Sequence, residues 1–161
     1  MKRAAGFLAA LVLVWGLAAP CWGVELTLTS HAALLMEKTT GQILYAQNEH
    51  DALPPASVTK IMTVLLTMEA IDSGRIALDD VVTVTEGIQS YVPMGVNKVQ
   101  SESLKSNEQL KVKDLLYALL LINANDAAVA LAHHVSGTTD AFLELMNARV
   151  KQMGCANTQF G

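Results

Sequence analysis

Residues 55–63 read PASVTKIMT, which is the most informative stretch of the chain. Pro54 and Pro55 stand ahead of an apolar periodic run, an arrangement that is typical of a helix start. We expect the helix to begin near Ser57 and to end near Gly74. Its apolar residues recur at helical spacing and predict one buried face, formed by Ile61, Val64, Leu65 and Met68.

Ser57 and Lys60 lie three residues apart, so on a helix the lysine amine can reach the serine hydroxyl. A serine needs an adjacent base to act as a nucleophile, and a helix N-terminus favours a developing oxyanion. Lys60 can be that base only when neutral, and lowering its pKa by about 3 units from about 10.4 costs about 4 kcal/mol. Burial of the amine or a second cation close to it can lower the pKa in this way. The alternative is a capping serine followed by an ordinary surface lysine.

Short β elements are expected on both sides of this helix. Apolar runs at residues 32–36 and 42–46, separated by a glycine-containing turn, predict a β-hairpin. Residues 79–85 (DDVVTVT) predict a short exposed strand. Residues 86–111 are polar and weakly patterned, which predicts an irregular excursion with a turn at 105–108. Long loops in compact domains usually carry function.

Three further helices are predicted, at residues 112–122, 127–135 and about 140–153. The first is strongly apolar, and the second is rich in alanine, which allows close packing against its neighbours. The third carries an apolar stripe that consists of Phe142, Met146, Val150 and Met153. The chain is therefore expected to be helix-rich with a minor sheet.

The polar residues Asn123-Ala124-Asn125-Asp126 separate the first two of these helices. A polar cluster at the junction of buried helices can project hydrogen-bond donors into a cleft. The alternative is helix capping, with Asn125 or Asp126 as the N-cap of the second helix.

Residues 1–23 have the organisation of a secretory signal: a basic tip, a short apolar run and a small-residue exit after which we place the cleavage. The apolar run is shorter than the roughly 20 residues of a membrane span. An uncleaved anchor and lipidation at Cys21 are the alternatives. Residues 24–161 would then be exported, as one domain or a piece of a larger one. Cys155 is the only cysteine among them, so no internal disulfide can form. We expect Cys155 to be a small packing residue.

Composition excludes several classes of protein. Of the 161 residues, 52% are hydrophobic and 16% are charged, which argues against disorder. A formal charge of −4, with no basic cluster beyond the first residues, argues against a nucleic-acid surface. The adjacent His133 and His134 point to different helix faces, so no metal site is expected. The glycines form no phosphate-binding pattern, and we expect no cofactor.

Four segments, in order, resemble the D-alanyl-D-alanine carboxypeptidases, which are low-molecular-weight penicillin-binding proteins of the serine-peptidase type. They are ALLMEKTTGQILYAQN (33–48), LPPASVTKIMT (53–63), VKDLLYALLLINANDAAVALAHH (112–134) and FLELMNARVKQMGCANTQF (142–160). The resemblance implies an α+β fold with a helical core of the penicillin-binding and β-lactamase type and a small antiparallel sheet.

The resemblance also implies roles for four residues. Ser57 would be the acylated nucleophile and Lys60 its general base, while Asn125 would hold the substrate amide. Asn123 stands where the family has a serine that helps to pass the proton to the leaving D-alanine. An amide can donate a hydrogen bond but cannot relay a proton as a hydroxyl does.

The implied activity is removal of the terminal D-alanine from peptidoglycan stem peptides ending in D-Ala-D-Ala. The implied location is the periplasm or the outer face of the bacterial cytoplasmic membrane. β-Lactam antibiotics would be inhibitors. An uncleaved signal or a C-terminal anchor would tie the protein to the membrane.

The family's third element, Lys-Thr-Gly, has no counterpart in these 161 residues, because Lys38-Thr39-Thr40-Gly41 has one residue too many and forms the hairpin turn. We therefore expect the chain to correspond to the N-terminal part of such an enzyme, with an incomplete sheet. The alternative function is a truncated or degenerate, non-catalytic relative in the cell envelope. A serine β-lactamase shares Ser-x-x-Lys but needs a base for rapid deacylation, for which we find no convincing glutamate.

Overall fold

The computed structural model describes residues 26–90 and 104–161. The predicted signal at residues 1–23 and the central part of the expected irregular excursion, residues 91–103, lie outside the described residues. The chain divides into two compact units, Met1–Asp51 and Ala52–Gly161. Within the described ranges, none of the helices has the length and apolar character that a membrane crossing requires.

The first unit contains the predicted hairpin. Strand β1 (Ala33–Met36) pairs antiparallel with strand β2 (Ile43–Gln47). The chain reverses direction at Gly41, whose φ of +71° is a left-handed conformation that glycine adopts without a steric penalty. The Gly41 N–H donates to the carbonyl oxygen of Glu37 at 2.9 Å and closes the turn. The hairpin prediction is confirmed.

The second unit begins with a 3₁₀ turn, Ala56–Thr59, which leads directly into helix α1, Lys60–Asp72. The predicted helix therefore exists, but its first turn is wound more tightly than an α-helix and holds Ser57. The helix ends at Asp72, and Gly74 beyond it takes the left-handed conformation common after a C-terminus, with φ +71°.

The prediction of which α1 face is buried was wrong. Ile61 is 69% exposed and Met68 is 38% exposed, while Val64 and Leu65 are only partly buried. The buried residues of this helix are Met62, Thr63, Leu66, Thr67 and Ala70. Nearly every position from 61 to 68 is apolar or threonine, so the spacing of apolar residues does not single out one face.

A second two-stranded sheet forms within the unit. Strand β3 (Val81–Thr83) pairs antiparallel with strand β4 (Gln109–Lys111), and a short helix α2 (Glu86–Ser90) follows β3. The predicted turn at 105–108 is confirmed by a backbone hydrogen bond of 3.0 Å between its ends. Strand β4 and helix α2 were not predicted, because elements of three to five residues are too short to show a period. Val82 is buried, although an exposed strand was expected.

The three predicted C-terminal helices are all present. Helix α3 (Val112–Ile122) has the predicted bounds. Helix α4 (Asn125–Ser136) begins two residues earlier than expected and takes in Asn125 and Asp126. Helix α5 (Thr139–Gln152) follows after a short connection. Its predicted stripe is buried at three positions and wrong at Met153, which is 53% exposed.

Helix α4 is the centre of the second unit, since it packs against α1, α3 and α5. One buried cluster joins α3 and α4 with β3, and a second joins α1, α4 and α5. Small buried residues on α4 allow the close approach that the alanine-rich sequence predicted: Ala127, Ala130 and Ala132. The predicted α+β class is confirmed, with a helical core and, in the described residues, two small antiparallel sheets.

Candidate active site

Ser57 and Lys60 sit on either side of the junction between the 3₁₀ turn and α1. Ser57 is exposed on the turn, and Lys60 is the half-buried first residue of the helix. Ala56, directly before the serine, has φ +48°. A left-handed conformation at a residue with a Cβ costs about 1 kcal/mol, and such strain tends to occur at functional sites. The backbone thus turns sharply to present the Ser57 hydroxyl.

Asn123 joins the two residues. Its amide nitrogen Nδ2 donates to Ser57 Oγ at 2.9 Å, and its Oδ1 accepts from Lys60 Nζ at 2.9 Å. The same lysine amine donates a short hydrogen bond to the Asn123 carbonyl oxygen. Asn123 can do this because it ends α3 in a left-handed conformation, with φ 60° and ψ 37°, which asparagine tolerates better than most residues.

The hydrogen bonds of Lys60 determine what its amine can still do. Two N–H groups point at Asn123, so the third position on the nitrogen is an N–H in the ammonium form and a lone pair in the neutral amine. Partial burial lowers the pKa of Lys60 from its ordinary value, and the negative charge of Asp126 offsets part of that effect. The environment therefore makes the neutral amine, which a general base requires, easier to form than in a fully exposed lysine.

Asn125 lies on the same side of the second unit as this group. It is the first residue of α4 and lines a cavity of about 630 Å³ together with Ser57 and Lys60. The capping alternative does not describe this corner, because Ala124 is the N-cap of α4 and no side chain caps it. The structure therefore brings Ser57, Lys60 and Asn123 into one hydrogen-bonded group and Asn125 to the cavity beside it.

The far wall of the cavity was not predicted. It is mostly apolar and includes Phe142, Met146 and Phe160. The backbone of Phe160 is held by the side chain of Asn147, which accepts from its N–H and donates to its carbonyl oxygen, both at 2.8 Å. Phe160 is about a hundred residues from Ser57 in sequence, and nothing in the local pattern of either residue indicates that they share a cavity.

Other candidate residues lie elsewhere. His133 contacts Thr139 Oγ1 at 2.9 Å, and His134 lies 3.5 Å from Asp80. Across residues 26–90 and 104–161, no group of three or more His, Cys, Asp or Glu side chains is arranged to hold a metal ion. Cys155 is exposed, so the expectation that it packs in the interior was wrong.

Comparison with known proteins places these features in a family. A family model described as D-alanyl-D-alanine carboxypeptidase matches residues 20–161. The chain is 40% identical over 136 residues to the D-alanyl-D-alanine carboxypeptidase DacF of Bacillus subtilis, covering 84% of this chain and 33% of that protein. It is 41% identical over 131 residues to DacD of Salmonella typhimurium, covering 80% and 33%. The chain thus spans about a third of the length of these relatives.

Solved structures agree with the sequence comparison. Penicillin-binding protein 5 of Haemophilus influenzae superimposes with a TM-score of 0.79 at 34% identity, over 87% of this chain and 40% of that one. Penicillin-binding protein D2 of Listeria monocytogenes, solved in its cefotaxime-bound form, gives a TM-score of 0.71 at 29% identity, over 86% and 53%.

Proposed function

Because the chain belongs to the family of D-alanyl-D-alanine carboxypeptidases, we propose that the protein is a serine-type carboxypeptidase that removes the terminal D-alanine from peptidoglycan stem peptides ending in D-Ala-D-Ala. The observation that carries this proposal is the hydrogen-bonded group in which Asn123 connects Ser57 to Lys60. A hydroxyl, an amine with a lowered pKa and an adjoining cavity are the parts that acyl transfer by a serine requires.

In the proposed acylation step, Ser57 Oγ attacks the carbonyl carbon of the terminal D-Ala-D-Ala bond while its proton passes to the neutral amine of Lys60. The lone pair that accepts this proton occupies the position on Nζ that Asn123 leaves open. As the tetrahedral intermediate collapses, the C–N bond breaks and the proton moves from Lys60 to the departing amine of D-alanine. Water then hydrolyses the ester on Ser57 and regenerates the hydroxyl.

Asn123 has a positioning role in this proposal. Its amide aligns the hydroxyl and the amine through one donor and one acceptor, but it has no proton to relay. Lys60 must therefore deliver the proton to the leaving amine itself or through a water molecule. Asn125, on the rim of the same cavity, is proposed to hold the amide of the bound peptide.

Release of D-alanine from a stem peptide ending in D-Ala-D-Ala tests the activity, with protein produced from its complete gene. Ser57→Ala should abolish release, because the Ser57 hydroxyl supplies the oxygen of the proposed ester. Ser73→Ala is the matched control, since Ser73 is the serine at the opposite end of α1 and should leave release unchanged. Equal release by the wild type and Ser57→Ala would show that the nucleophile is assigned wrongly.

β-Lactams are proposed to acylate the same serine, in keeping with the penicillin-binding names of the structural relatives and with the cefotaxime and ampicillin complexes of the Listeria protein. We also propose export to the periplasm or the outer face of the cytoplasmic membrane, with residues 1–23 as the cleaved signal. The mass of the protein recovered from the cell envelope should then correspond to a chain beginning at Val24. A chain that retains residues 1–23 would support the anchor alternative.

The second candidate is a non-catalytic envelope protein, and the amide at Asn123 is the observation that favours it. If the protein is of this kind, its wild-type form should release no D-alanine. Asn123→Ser then tests whether the amide is the cause, because a hydroxyl at this position should give the variant a release of D-alanine that the wild type lacks.

A further inference from the structure

Asp126 is a buried carboxylate that the proposed mechanism does not use. It is 3% exposed and lies in the first turn of α4. Its Oδ2 accepts from the Leu104 N–H at 3.1 Å, and its Oδ1 accepts from the Ala127 N–H at 2.9 Å. Backbone donors and the positive end of a helix both stabilise an ionised carboxylate. A buried charge of this kind needs an explanation, because burial opposes ionisation.

Asp126 adjoins the corner that holds Lys60. It follows Asn125 directly, and Asn123, three residues before it, receives both hydrogen bonds from the lysine amine. Asp126 also ties this corner to the backbone at Leu104, on a segment distant in sequence. The negative charge of Asp126 raises the pKa of Lys60, against the larger lowering caused by burial of the amine.

Besides Asp126, the ionisable groups on the helices packed against α1 are two histidines of α4 and four residues of α5. On α4, His133 contacts Thr139, and His134 faces Asp80. On α5, Arg149 pairs with Glu69 of α1, about two turns beyond Lys60, while Asp140, Glu144 and Lys151 also belong to that helix. Among the described residues, Asp126 provides the charge that acts on the Lys60 amine.

Building on the proposed function, we propose that Asp126 is a positioning residue for acylation: it fixes the corner from Asn123 to Asn125 and keeps Lys60 a strong enough base to take the serine proton. A weaker base is neutral over a wider pH range but accepts a proton less readily. The negative charge of Asp126 therefore opposes the lowering of the Lys60 pKa that burial causes.

The Asp126→Asn variant removes the charge with little change of shape, and its Oδ1 can still accept a backbone hydrogen bond. Asp114→Asn is the matched control, because Asp114 occupies the first turn of the neighbouring helix α3 but is exposed. The pH dependence of Lys60 acetylation by acetic anhydride, followed by peptide mass spectrometry, reports on the amine without any catalytic step. Lys38, an exposed lysine in the hairpin turn, is the internal reference.

The proposal predicts that the Lys60 acetylation profile shifts to lower pH in Asp126→Asn. The Lys38 profile should stay unchanged, and so should the Lys60 profile of the Asp114→Asn protein. Asp126→Glu, which keeps the charge, should restore the wild-type profile. An unchanged Lys60 profile in a folded Asp126→Asn protein would overturn the proposal, whether or not the wild type releases D-alanine. If Asp126→Asn does not fold, as judged by circular dichroism, the smaller neutral variant Asp126→Ser should shift the Lys60 acetylation profile in the same way. An unshifted profile in a folded Asp126→Ser protein would overturn the proposal.

The rate of acylation by a fluorescent penicillin adds a second measurement. In Asp126→Asn, the acid limb of the rate profile should move to lower pH, and the plateau at high pH should fall. A purely structural role would lower the rate at every pH without moving the limb, and that result would contradict the proposal. Absence of acylation in the wild type would instead refute the proposed function, and the acetylation profile would still decide the role of Asp126.

Discussion

Asn123 determines how the Ser57 hydroxyl and the Lys60 amine, the proposed nucleophile and base, are arranged. One side chain contacts both Ser57 Oγ and Lys60 Nζ, and its left-handed backbone turns the Asn123 carbonyl oxygen toward the same amine. The amide orientation follows from the chemistry of its neighbours, since a lysine amine offers donors and therefore faces the oxygen. A serine at this position would have a shorter side chain and could not present a donor and an acceptor from two separate atoms.

Asn123→Asp should move the acid limb of penicillin acylation to higher pH and slow acylation about 10²-fold at pH 7. A carboxylate next to Lys60 raises the pKa of the amine, so that less neutral amine is present at a given pH, and the donor to Ser57 is lost. Asn107→Asp is the control, because Asn107 is an exposed asparagine with the same left-handed backbone, at φ 66°. A limb that stays in place in Asn123→Asp would contradict the assigned contacts.

The sequence named Ser57, Lys60, Asn123 and Asn125 as candidates, because Ser-x-x-Lys and the polar junction are visible as local patterns. It did not indicate that Asn123 joins the other two, since that contact spans more than sixty residues and depends on the left-handed end of α3. Asp126 was recognised only as a possible helix cap, because burial and the contact with Leu104 are properties of the folded chain.

At the scale of single elements, the reliability of each prediction followed the clarity of its pattern. Helix α3 has the predicted bounds because an apolar run stops at Asn123. The buried face of α1 was mispredicted because the helix carries apolar residues on its exposed side as well as on its buried side. Packing of α1 against α4 and α5, which the sequence does not reveal, decides which side is covered.

The hairpin turn should contribute a pH-dependent term to stability through Glu37. Hydrogen bonds from the backbone N–H groups of Thr39 and Thr40 and from the Thr40 hydroxyl lower the pKa of Glu37 to about 2. A carboxyl group whose pKa is lower in the folded state stabilises that state above its unfolded pKa, here about 4.5, and loses the effect as pH falls toward 2. The difference in stability between wild type and Glu37→Gln should therefore be present at pH 7 and disappear near pH 2.

Urea unfolding at a series of pH values measures that difference. Glu49→Gln is a control, because Glu49 lies in the loop after β2 rather than in the turn. A constant difference between wild type and Glu37→Gln across the whole range would contradict the role of the carboxylate.

Thr138 should be the principal cap of α5. Its side chain accepts from the Ala141 N–H at 3.1 Å, so it satisfies one of the unpaired donors at the helix start. Thr138→Ala should lower the free energy of unfolding by about 1 kcal/mol. Thr138→Ser should keep most of the stabilisation that the threonine cap provides. Thermal or chemical denaturation checks the order of the three proteins, and equal stability of Thr138→Ala and wild type would show that the cap is dispensable.

For the molecule as a whole, the second unit is held by the packing of α4 against α1, α2, α3 and α5, while part of α3 remains uncovered. Leu115 is fully buried, whereas the opposite face of the same helix exposes Tyr117, Leu120 and Leu121 by 63%, 64% and 77%. Clusters of exposed apolar side chains of this kind mark interaction surfaces or aggregation sites.

Leu115→Ala and Leu121→Ala test this division on one helix. Truncating the buried leucine leaves a cavity in the α3–α4 cluster and should cost about 2–5 kcal/mol of unfolding free energy. Truncating the exposed leucine should change stability by less than about 0.5 kcal/mol. Similar losses for both variants, measured by chemical denaturation, would mean that the exposed face of α3 is packed in solution.

The most direct test of the acylation centre is the position of a covalent β-lactam adduct. Trypsin should release residues 39–60 of the wild type as one peptide, in which Ser57 is the only serine. From Lys60→Met it should release residues 39–75, in which peptide fragmentation distinguishes Ser57 from Ser73. Incubation with benzylpenicillin, digestion and mass spectrometry should place the added mass of the whole drug on Ser57, at a level that falls at least about 10²-fold when Lys60 is replaced by methionine. An adduct on any other residue, or undiminished labelling of Ser57 in Lys60→Met, would contradict the hydroxyl–amine pair joined by Asn123.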